Sequence, residues 1–535
     1  MSDRSGHGDP TASRRLGQLI ARFTDEGRLR GTRLDGRAAG SAALADVAVT
    51  AVTHDSRTVT DGALFVAVPG EHADGHAFAA AAADGGATAL IVERPLPDVA
   101  AAQLVVDASR PALASAAAWW YGDPSHELTV VGITGTDGKT TTAYLAVAAL
   151  EAAGRRVGMI GTIATRIGGR TDAHEVHATT PEATELQATL RAMVDAGDDL
   201  AVLETTSHGL ALDRVASVAY DVAILTNLTH EHLELHGTWE AYRDAKLSLF
   251  DRLRAARRVR KPRPIAPAAI VNIDDPSAGL FIGTSRDAGA RVVTYGTETA
   301  ADVRAIRITE DADRLRADVA GPGGTATLEL QLAGRFNVHN ALAVVALGEV
   351  LSLDGTAVLA GMASLEGVPG RMERIEAGQP FGVVVDFAHS PASLQTVLDL
   401  LAPAAAARGG GLIAVFGSAG ERDTAKRPQM GRIAGERARL VVVTDEDPRE
   451  EDREAILDEI ARGAESVGRR RGGDLQVIAD RRTAIATAFE AARRGDIVLL
   501  AGKGHERSII GPDGERPWDE RATALELLAE LGYRG

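Results

Sequence analysis

Cysteine is absent from the 535-residue chain, and aromatic residues make up only 4% of it. The first absence excludes disulfides and any metal site built on thiolates. No apolar run reaches about 18 residues without a charge, so no membrane span is expected. Positive charge is also scarce, because 58 Lys and Arg stand against 74 Asp and Glu, for a formal net charge of −16. Such a chain repels nucleic acid and fits a cytoplasmic enzyme of small molecules.

The length of the chain is too great for one hydrophobic core and predicts two to four domains. The polar first fifteen residues lack the apolar segment of a signal peptide and predict a disordered tail. Further on, strand-like runs alternate with helical stretches, which is typical of α/β domains with parallel sheets. Ligands of such sheets gather at the carboxyl ends of the strands. The basic stretch RLRAARRVRKPRP (252–264) is expected to be a solvated loop.

The stretch VVGITGTDGKTTTAYL predicts a strand, a tight turn and a helix that together bind phosphate. Gly135 and Gly138 would let backbone N–H groups approach phosphate oxygens at the helix N-terminus. Lys139 can reach the terminal phosphates, and the Thr140 hydroxyl suits Mg²⁺. The strict P-loop pattern needs a glycine where Ile133 stands, but the two spaced glycines between strand and helix still favour nucleotide binding over a structural turn.

Polar residues follow the next two strand-like runs. Glu204 ends the run in LETTSHGL, and His230, His232 and His236 follow the run in TNLTHEHLELHG. The His-Glu-His spacing lacks the i,i+4 pattern of a zincin site, so Mg²⁺ and phosphate contacts are the better prediction for these side chains. By pattern alone, Lys246 on a predicted amphipathic helix would be a solvated surface lysine.

Ten motifs occur in the order in which they stand in the Mur ligases, the ATP-dependent amide-forming enzymes of peptidoglycan precursor synthesis. They are GITGTDGKTTT, TTPE, ETTSHGL, TNLTHEHLELHG, AYRDAKLSLF, FNVHN, GRMERI, DFAHSP, ERDTAKRP and GKGHE. The chain resembles this family from about His54 to Glu506, and its phosphate-loop spacing is similar as well. HDSR, TTPE and GKGHE together resemble the MurE type, which adds meso-diaminopimelate or lysine to UDP-N-acetylmuramoyl-L-alanyl-D-glutamate.

The resemblance implies an α/β fold with three domains. These are an N-terminal UDP-binding α/β domain over 1–125, a central P-loop ATPase-like parallel-sheet domain over 126–366, and a C-terminal amino-acid-binding Rossmann-like domain over 367–535. It also implies a reaction in which a substrate carboxylate attacks the γ-phosphate of ATP. The incoming amine then attacks the resulting acyl phosphate. The implied partners are ATP, the UDP-MurNAc-dipeptide and a diamino acid, and the protein is expected to act as a monomer.

The resemblance also assigns the nucleotide and metal residues, with two Mg²⁺ ions and a carbamylated Lys246 as an oxygen ligand. The implied ATP-binding residues are Gly135, Thr136, Asp137, Gly138, Lys139, Thr140, Thr141, Asn340, Arg371 and Asp386. The implied metal ligands are Thr140, Glu204, His232 and Lys246. The implied catalytic residues are Lys139, Glu204, His232, Lys246 and Arg371.

The implied UDP-MurNAc-dipeptide contacts are Ser56, His72, Thr179, Thr180, Thr206 and Arg214, although turn capping remains an alternative for several of them. The implied amino-acid contacts are Arg422, Glu446, Asp447, Pro448, Arg449, Gly502 and Glu506. The family's diaminopimelate enzymes carry Asp-Asn-Pro-Arg where this chain has Glu-Asp-Pro-Arg. The retained arginine can grip a second carboxylate, whereas the acidic pair can favour a more cationic side chain.

Three other functions stay open at this stage. A folylpolyglutamate synthase is disfavoured by the N-terminal DSR, VPG and DGH motifs and by ETTSHGL, and a MurF-type ligase by TTPE and GKGHE. A regulatory P-loop NTPase would not need ERDTAKRP, DEDPR or GKGHE.

Overall fold

The computed structural model describes residues 13–70, 73–173, 178–229, 236–298, 300–310 and 314–534. The chain divides into two compact units. The first comprises Met1–Arg304 and Leu342–Val358, and the second comprises Ala305–Ala341 and Leu359–Gly535. Both are built from helices packed on sheets with parallel strands, which confirms the α/β prediction.

The first unit begins with a six-stranded sheet. Its strands, in spatial order, are Arg37–Ala38, Leu29–Leu34, Ala102–Val106, Ala89–Val92, Ala63–Val66 and Ala51–Thr53. Helices Leu16–Asp25, Ser41–Leu44, Ala79–Asp84 and Ser109–Tyr121 accompany this sheet, with 3₁₀ turns at Ser56–Thr58, Gly75–Phe78 and Pro124–His126. Arg14 and Arg15 form a short ladder with Val49 and Ala48, so these two residues do not belong to the predicted tail.

A larger sheet follows in the same unit. In spatial order its strands are Arg170–Ala173, Ala164–Ile167, Val157–Ile160, Leu200–Glu204, Thr129–Thr134, Val222–Leu225, Ala268–Asn272 and Arg291–Gly296. The six from Val157–Ile160 to Arg291–Gly296 are parallel. The helices are Lys139–Ala152, Ala183–Asp195, Ser207–Ala211, Trp239–Asp251, Leu253–Ala256 and Ala278–Asp287. Two more helices, Phe336–Val350 and Gly355–Ala363, and the strand Val303–Glu310 cross the borders between the units.

The strand before the phosphate loop is an interior strand of this sheet. All six residues of Thr129–Thr134 are buried, and the strand pairs with Leu200–Glu204 on one side and Val222–Leu225 on the other. Helix Ala183–Asp195 buries Leu186, Leu190 and Met193 at helical spacing against the same core, whereas Ala183 at its start packs into the core of the six-stranded sheet. The strand ends of Thr129–Thr134 and Leu200–Glu204 therefore meet at one edge, where the polar motifs begin.

The basic stretch 252–264 is only partly solvated, so the expectation of a solvated loop was wrong for its single lysine and for the short helix Leu253–Ala256 within it. Lys261 is 6% exposed, and its Nζ lies 2.5 Å from Asp221 Oδ2. It also donates to the carbonyls of Leu128 and Ala219. Because Asp221 Oδ2 accepts from Val130 N at 2.7 Å, this buried pair fixes the start of the phosphate-loop strand. A run of basic residues in a sequence does not indicate that one of them is buried against a carboxylate.

The second unit contains the hairpin Leu315–Gly321 with Gly324–Leu330, followed by a six-stranded sheet. In spatial order the sheet strands are Glu373–Arg374, Gly382–Asp386, Ile497–Ala501, Leu412–Phe416, Leu440–Val443 and Leu475–Val477. All but the first are parallel to their neighbours. The helices are Pro391–Ala407, Lys426–Arg437, Arg453–Glu465, Arg481–Ala491 and Glu520–Glu530, and Ser508–Gly511 pairs with Gly514–Pro517. None of the described helices is long and apolar enough to cross a membrane.

Candidate active site

The predicted phosphate loop is formed by the turn between strand Thr129–Thr134 and helix Lys139–Ala152. Gly135 and Gly138 have φ values of +148° and +81°, which side chains disfavour. A Cβ at Gly135 would also overlap the Thr226 hydroxyl. Asn227 shapes the loop further, because its Oδ1 accepts from Asp137 N at 2.9 Å. The backbone of this turn is therefore open for close approach by an anion at the helix N-terminus.

Thr140, in the first turn of helix Lys139–Ala152, lies beside Glu204, at the end of strand Leu200–Glu204, as the predicted metal site requires. The Thr140 hydroxyl donates to Glu204 Oε2 at 2.8 Å, and both residues are buried. Thr162 completes this cluster, because its hydroxyl donates to Glu204 Oε2 at 2.8 Å and its N–H donates to Oε1 at 2.9 Å. Hard oxygen donors of this kind fit Mg²⁺.

Two lysine side chains point at one carbonyl of the loop. Lys139 Nζ donates to Gly135 O at 2.9 Å and to Thr136 O at 2.7 Å. Lys246 Nζ donates to the same Gly135 O at 2.7 Å and lies 4.6 Å from the centre of the Tyr242 ring. Lys246 is only 2% exposed, so it is a buried neighbour of the phosphate loop and not a solvated surface lysine.

A second polar cluster joins four of the residues predicted to contact the UDP-dipeptide. Thr180 donates to the carbonyl of Glu204 and lies 3.0 Å from the Thr206 hydroxyl. The Arg214 guanidinium donates to Thr180 O at 2.9 Å, and the hydroxyl oxygens of Thr179 and Thr162 lie 3.1 Å apart. The Thr206 hydroxyl also caps helix Ser207–Ala211, which is the alternative role raised for these residues, and its contact with the UDP-dipeptide stays a prediction.

Other predicted residues of this unit either lie away from these two clusters or fall outside the described residues. Ser56 begins the 3₁₀ turn Ser56–Thr58, which Asp55 caps. His72 and His232 lie outside the described residues. His236 packs edge-on against His208, with 5.7 Å between the ring centres, and against Tyr242 at 5.5 Å. Within the described ranges there is no group of three or more His, Cys, Asp or Glu that could hold a metal.

The residues predicted for the far end of the nucleotide lie in the second unit. Asp386 ends a buried strand, and its carboxylate accepts from Met372 N at 2.7 Å and from Ala388 N at 2.8 Å. The Arg371 guanidinium lies over the Phe387 ring, 4.6 Å from its centre. Asn340 is buried in its helix and donates to Asn337 Oδ1 at 2.9 Å. Arg371 and Asp386 thus adjoin through the Met372 backbone.

Most predicted amino-acid contacts also come together in the second unit. Glu446, Asp447 and Pro448 are buried just after strand Leu440–Val443. Lys503 Nζ lies 2.8 Å from Asp447 Oδ1 and 2.5 Å from Glu506 Oε2. Burial raises the pKa of Glu506, whereas the pKa of Lys503 rises because Glu506 and Asp447 outweigh the opposite effect of its burial. Lys503 is therefore ion-paired with two of the residues that were predicted to contact the amino acid, Asp447 and Glu506.

Arg422, Arg449 and Gly502 complete that group. Arg422 is exposed in the loop before helix Lys426–Arg437. Arg449 has a φ of +56°, and its N–H donates to Ile510 O at 3.0 Å. Gly502 has a φ of +101°, and a Cβ there would lie 3.2 Å from Glu446 Oε2.

Several functional residues were missed by the sequence analysis. They are Thr162, Asn227, Tyr242 and Lys503. Each acts on a predicted residue through a tertiary contact, for example the 2.9 Å contact between Tyr242 OH and Thr136 Oγ1. A single threonine or asparagine after a strand does not indicate which residue it will contact. Lys503 lies inside the motif GKGHE, so the sequence could have identified it as a site residue.

Three protein-family models match successive parts of the chain. A model described as "Mur ligase family, catalytic domain" matches residues 48–120, "Mur ligase middle domain" matches 133–348, and "Mur ligase, glutamate ligase domain" matches 370–504. A UDP-N-acetylmuramyl-tripeptide synthetase of Roseiflexus sp. (strain RS-1) is 48% identical over 491 residues, covering 91% of this chain and 96% of that protein.

Two further relatives are named after a diaminopimelate-adding reaction. A UDP-N-acetylmuramoyl-L-alanyl-D-glutamate–2,6-diaminopimelate ligase of Geobacter metallireducens is 41% identical over 494 residues, covering 90% of this chain and 94% of that protein. A solved structure with the same enzyme name matches with a TM-score of 0.61 and 30% identity, covering 90% of this chain and 95% of that one.

Proposed function

The chain belongs to the Mur ligase family of ATP-dependent, ADP-forming amide ligases, and from that premise we propose that it adds meso-diaminopimelate to UDP-N-acetylmuramoyl-L-alanyl-D-glutamate. The observation that carries the proposal is the junction in the first unit. There the phosphate loop, the Thr140–Glu204 pair and the Thr180–Thr206–Arg214 cluster adjoin through Glu204. A carboxylate substrate held by the last cluster would lie beside the phosphates held by the first.

In the proposed reaction, an oxygen of the peptide carboxylate attacks the γ-phosphorus of ATP, and the bond to ADP breaks. The amine of the acceptor then attacks the carbonyl carbon of the acyl phosphate and loses its proton, and inorganic phosphate leaves. Lys139 and the loop N–H groups offset the charge of the approaching anions. Arg214 positions the carboxylate end of the peptide, with Thr179, Thr180 and Thr206 around it. Ser56 and His72 are assigned to the UDP end.

Magnesium fits the oxygen donors of Thr140 and Glu204, and when bound it would neutralise phosphate charge. The proposed second ion uses His232 and a carbamate on Lys246. The position of Lys246 supports this assignment, because its Nζ is buried beside the phosphate loop, where a carbamate would present oxygen ligands. Thr136, Asp137 and Thr141 belong to the same loop and helix start.

The remaining nucleotide contacts are assigned to the second unit, with Asn340 at the adenine, Asp386 at the ribose and Arg371 at the γ-phosphate. Two contacts support this grouping: Asp386 accepts from the backbone of Met372, the residue after Arg371, and the Arg371 guanidinium lies over the ring of Phe387, the residue after Asp386. We further propose that the protein acts in the cytoplasm as a monomer. The domain boundaries at residues 125 and 366 stay part of the proposal.

The acceptor is proposed to bind among Arg422, Glu446, Asp447, Pro448, Arg449, Gly502 and Glu506. Diaminopimelate differs from lysine by a distal carboxylate, which the Arg449 guanidinium can grip in a charge-assisted pair. Lysine would leave that guanidinium without an anion, which disfavours lysine as the acceptor.

The test is a ligation assay with purified protein, ATP, Mg²⁺ and the UDP-dipeptide, in which meso-diaminopimelate and lysine are supplied in turn. Mass spectrometry is expected to find the diaminopimelate adduct as the dominant product, and Lys246→Ala is expected to form much less of it. Equal or better use of lysine would overturn the choice of acceptor. Phosphate release that needs neither the UDP-peptide nor an amino acid would instead support a regulatory NTPase.

A further inference from the structure

The phosphate loop is held by a neighbouring stretch of chain, residues 226–229, which we call the supporting segment. The Thr226 hydroxyl donates to Asp137 O at 2.6 Å, and Asn227 O accepts from Thr136 N at 2.8 Å. Asn227 Oδ1 also accepts from Asp137 N at 2.9 Å. Two consecutive residues of the loop are thus fixed from two consecutive positions of the segment. The geometry of the phosphate loop therefore depends on where the supporting segment lies.

The loop after strand Ala268–Asn272 holds the supporting segment in turn. Asp275 in this loop is 7% exposed, and its Oδ2 accepts from Leu228 N at 2.6 Å. Its Oδ1 accepts from Ser277 N at 2.8 Å, at the N-terminus of helix Ala278–Asp287. Each carboxylate oxygen has a backbone donor, and the two donors belong to different parts of the chain. Asp275 therefore ties the supporting segment to the start of this helix.

Two further side chains hold the carbonyls where the supporting segment begins. Asn272 Nδ2 donates to Thr226 O at 2.7 Å, and Tyr295 OH donates to Leu225 O at 2.9 Å. Both side chains are buried. Burial raises the pKa of Tyr295 above its ordinary value, so its hydroxyl keeps its proton and remains a donor. The segment is thus held at successive peptide groups from the next two strands of the sheet.

Helix capping accounts for only one of the two oxygens of Asp275. The bond to Ser277 N serves the helix, and a single acceptor oxygen would be enough for it. The bond to Leu228 N serves a segment that itself holds the phosphate loop. A carboxylate offers one oxygen to each N–H group, whereas an asparagine has a single acceptor oxygen. The residue type at position 275 therefore suits both tasks at once.

We propose that Asp275 is a positioning residue for the nucleotide phosphates, and that it acts through the supporting segment on the backbone of the phosphate loop. This inference rests on the proposed ligase function, in which that loop binds ATP. Asn272 and Tyr295 assist Asp275, because they fix the first carbonyls of the same segment. Loss of one of these anchors weakens the binding of ATP and leaves the binding of the UDP-dipeptide and the acceptor unchanged.

The experiment compares two adjacent aspartates that both hold backbone N–H groups. Asp274 accepts from Thr297 N at 2.8 Å, whereas Asp275 accepts from the supporting segment. Asp275→Asn is expected to raise the KM for ATP by on the order of tenfold, the lower end for a lost hydrogen bond to a charged group. The Kd for ADP should rise by the same factor, and the KM values for the UDP-dipeptide and meso-diaminopimelate should stay as in wild type. Asp274→Asn should leave all these constants unchanged, whatever its effect on the melting temperature.

Tyr295→Phe is the milder second variant if Asp275→Asn does not fold, and it should raise the KM for ATP several-fold. A wild-type KM for ATP in the folded variants, or an equal rise for all three substrates, overturns the inference and leaves the ligase function standing. The same selective rise in Asp274→Asn also overturns it, because the effect would then come from the loop as a whole. A wild-type protein that forms no ligation product overturns the proposed function and this inference with it.

Discussion

Thr162 offers a sharp test of how the carboxylate of Glu204, the proposed metal ligand, is held. Replacing it by valine keeps the shape of the side chain and removes the hydroxyl that donates to Glu204 Oε2 at 2.8 Å. A hydrogen bond to a charged group contributes about 1.5–3 kcal/mol. The backbone N–H of residue 162 still donates to Oε1 at 2.9 Å, so the carboxylate keeps one anchor. We therefore expect the lower end of the range, which is a loss of about tenfold in kcat.

The assay is ADP formation in the presence of both substrates over a range of Mg²⁺ concentrations. Thr162→Val should need more Mg²⁺ for half-maximal rate, because a loosely oriented ligand binds a metal less well. Thr162→Ser keeps the hydroxyl and should follow the wild-type curve. The reasoning is refuted if the valine variant shows the wild-type Mg²⁺ dependence and kcat.

Three further outcomes follow from the described contacts. Lys261→Met should lower the free energy of unfolding by about 3–5 kcal/mol in urea titrations, because it leaves Asp221 buried without its cation, and Asp221→Asn added to it should restore much of the loss. Gly135→Ala should abolish activity, since its Cβ would overlap Thr226, whereas Gly279→Ala, which meets nothing within 4 Å, should be neutral; equal activities would contradict this. The hydrogen bond from Arg427 lowers the pKa of Glu451 to about 2, so Glu451 stabilises the fold above its ordinary pKa and this stabilisation fades as the pH falls towards 2. Glu451→Gln should accordingly be less stable than wild type at pH 7 and equally stable near pH 2, as melting temperatures at both values would show.

Local patterns made much of the fold predictable. The apolar run before Gly135 and the glycines after it indicate a buried strand and an open turn, and the structure has both. The motifs also placed Thr140 at a helix start and Glu204 at the end of a strand; the strand before the phosphate loop runs parallel to that strand, and the two side chains lie 2.8 Å apart. Residues that act where a strand ends are visible in the sequence because chain order and sheet geometry fix their positions.

Contacts made by single polar residues could not be predicted in this way. Thr162 reaches Glu204 from 42 positions away, and nothing in its own neighbourhood indicates that partner. Lys246 looked like a surface lysine by pattern, because amphipathic spacing does not show which polar residue turns inward. Lys261 was hidden in a basic run for the same reason. The contact of Asp275 with the supporting segment is a property of tertiary packing alone.

The central claim is that a peptide carboxylate takes the γ-phosphoryl group of ATP before the amide forms. It is tested most directly with UDP-N-acetylmuramoyl-L-alanyl-D-glutamate whose accepting carboxylate carries ¹⁸O at both oxygens. After complete reaction with ATP, Mg²⁺ and meso-diaminopimelate, mass spectrometry of the released phosphate should find one ¹⁸O per phosphate, and the new amide should keep the other. Phosphate released without ¹⁸O alongside amide formation would contradict the acyl-phosphate route.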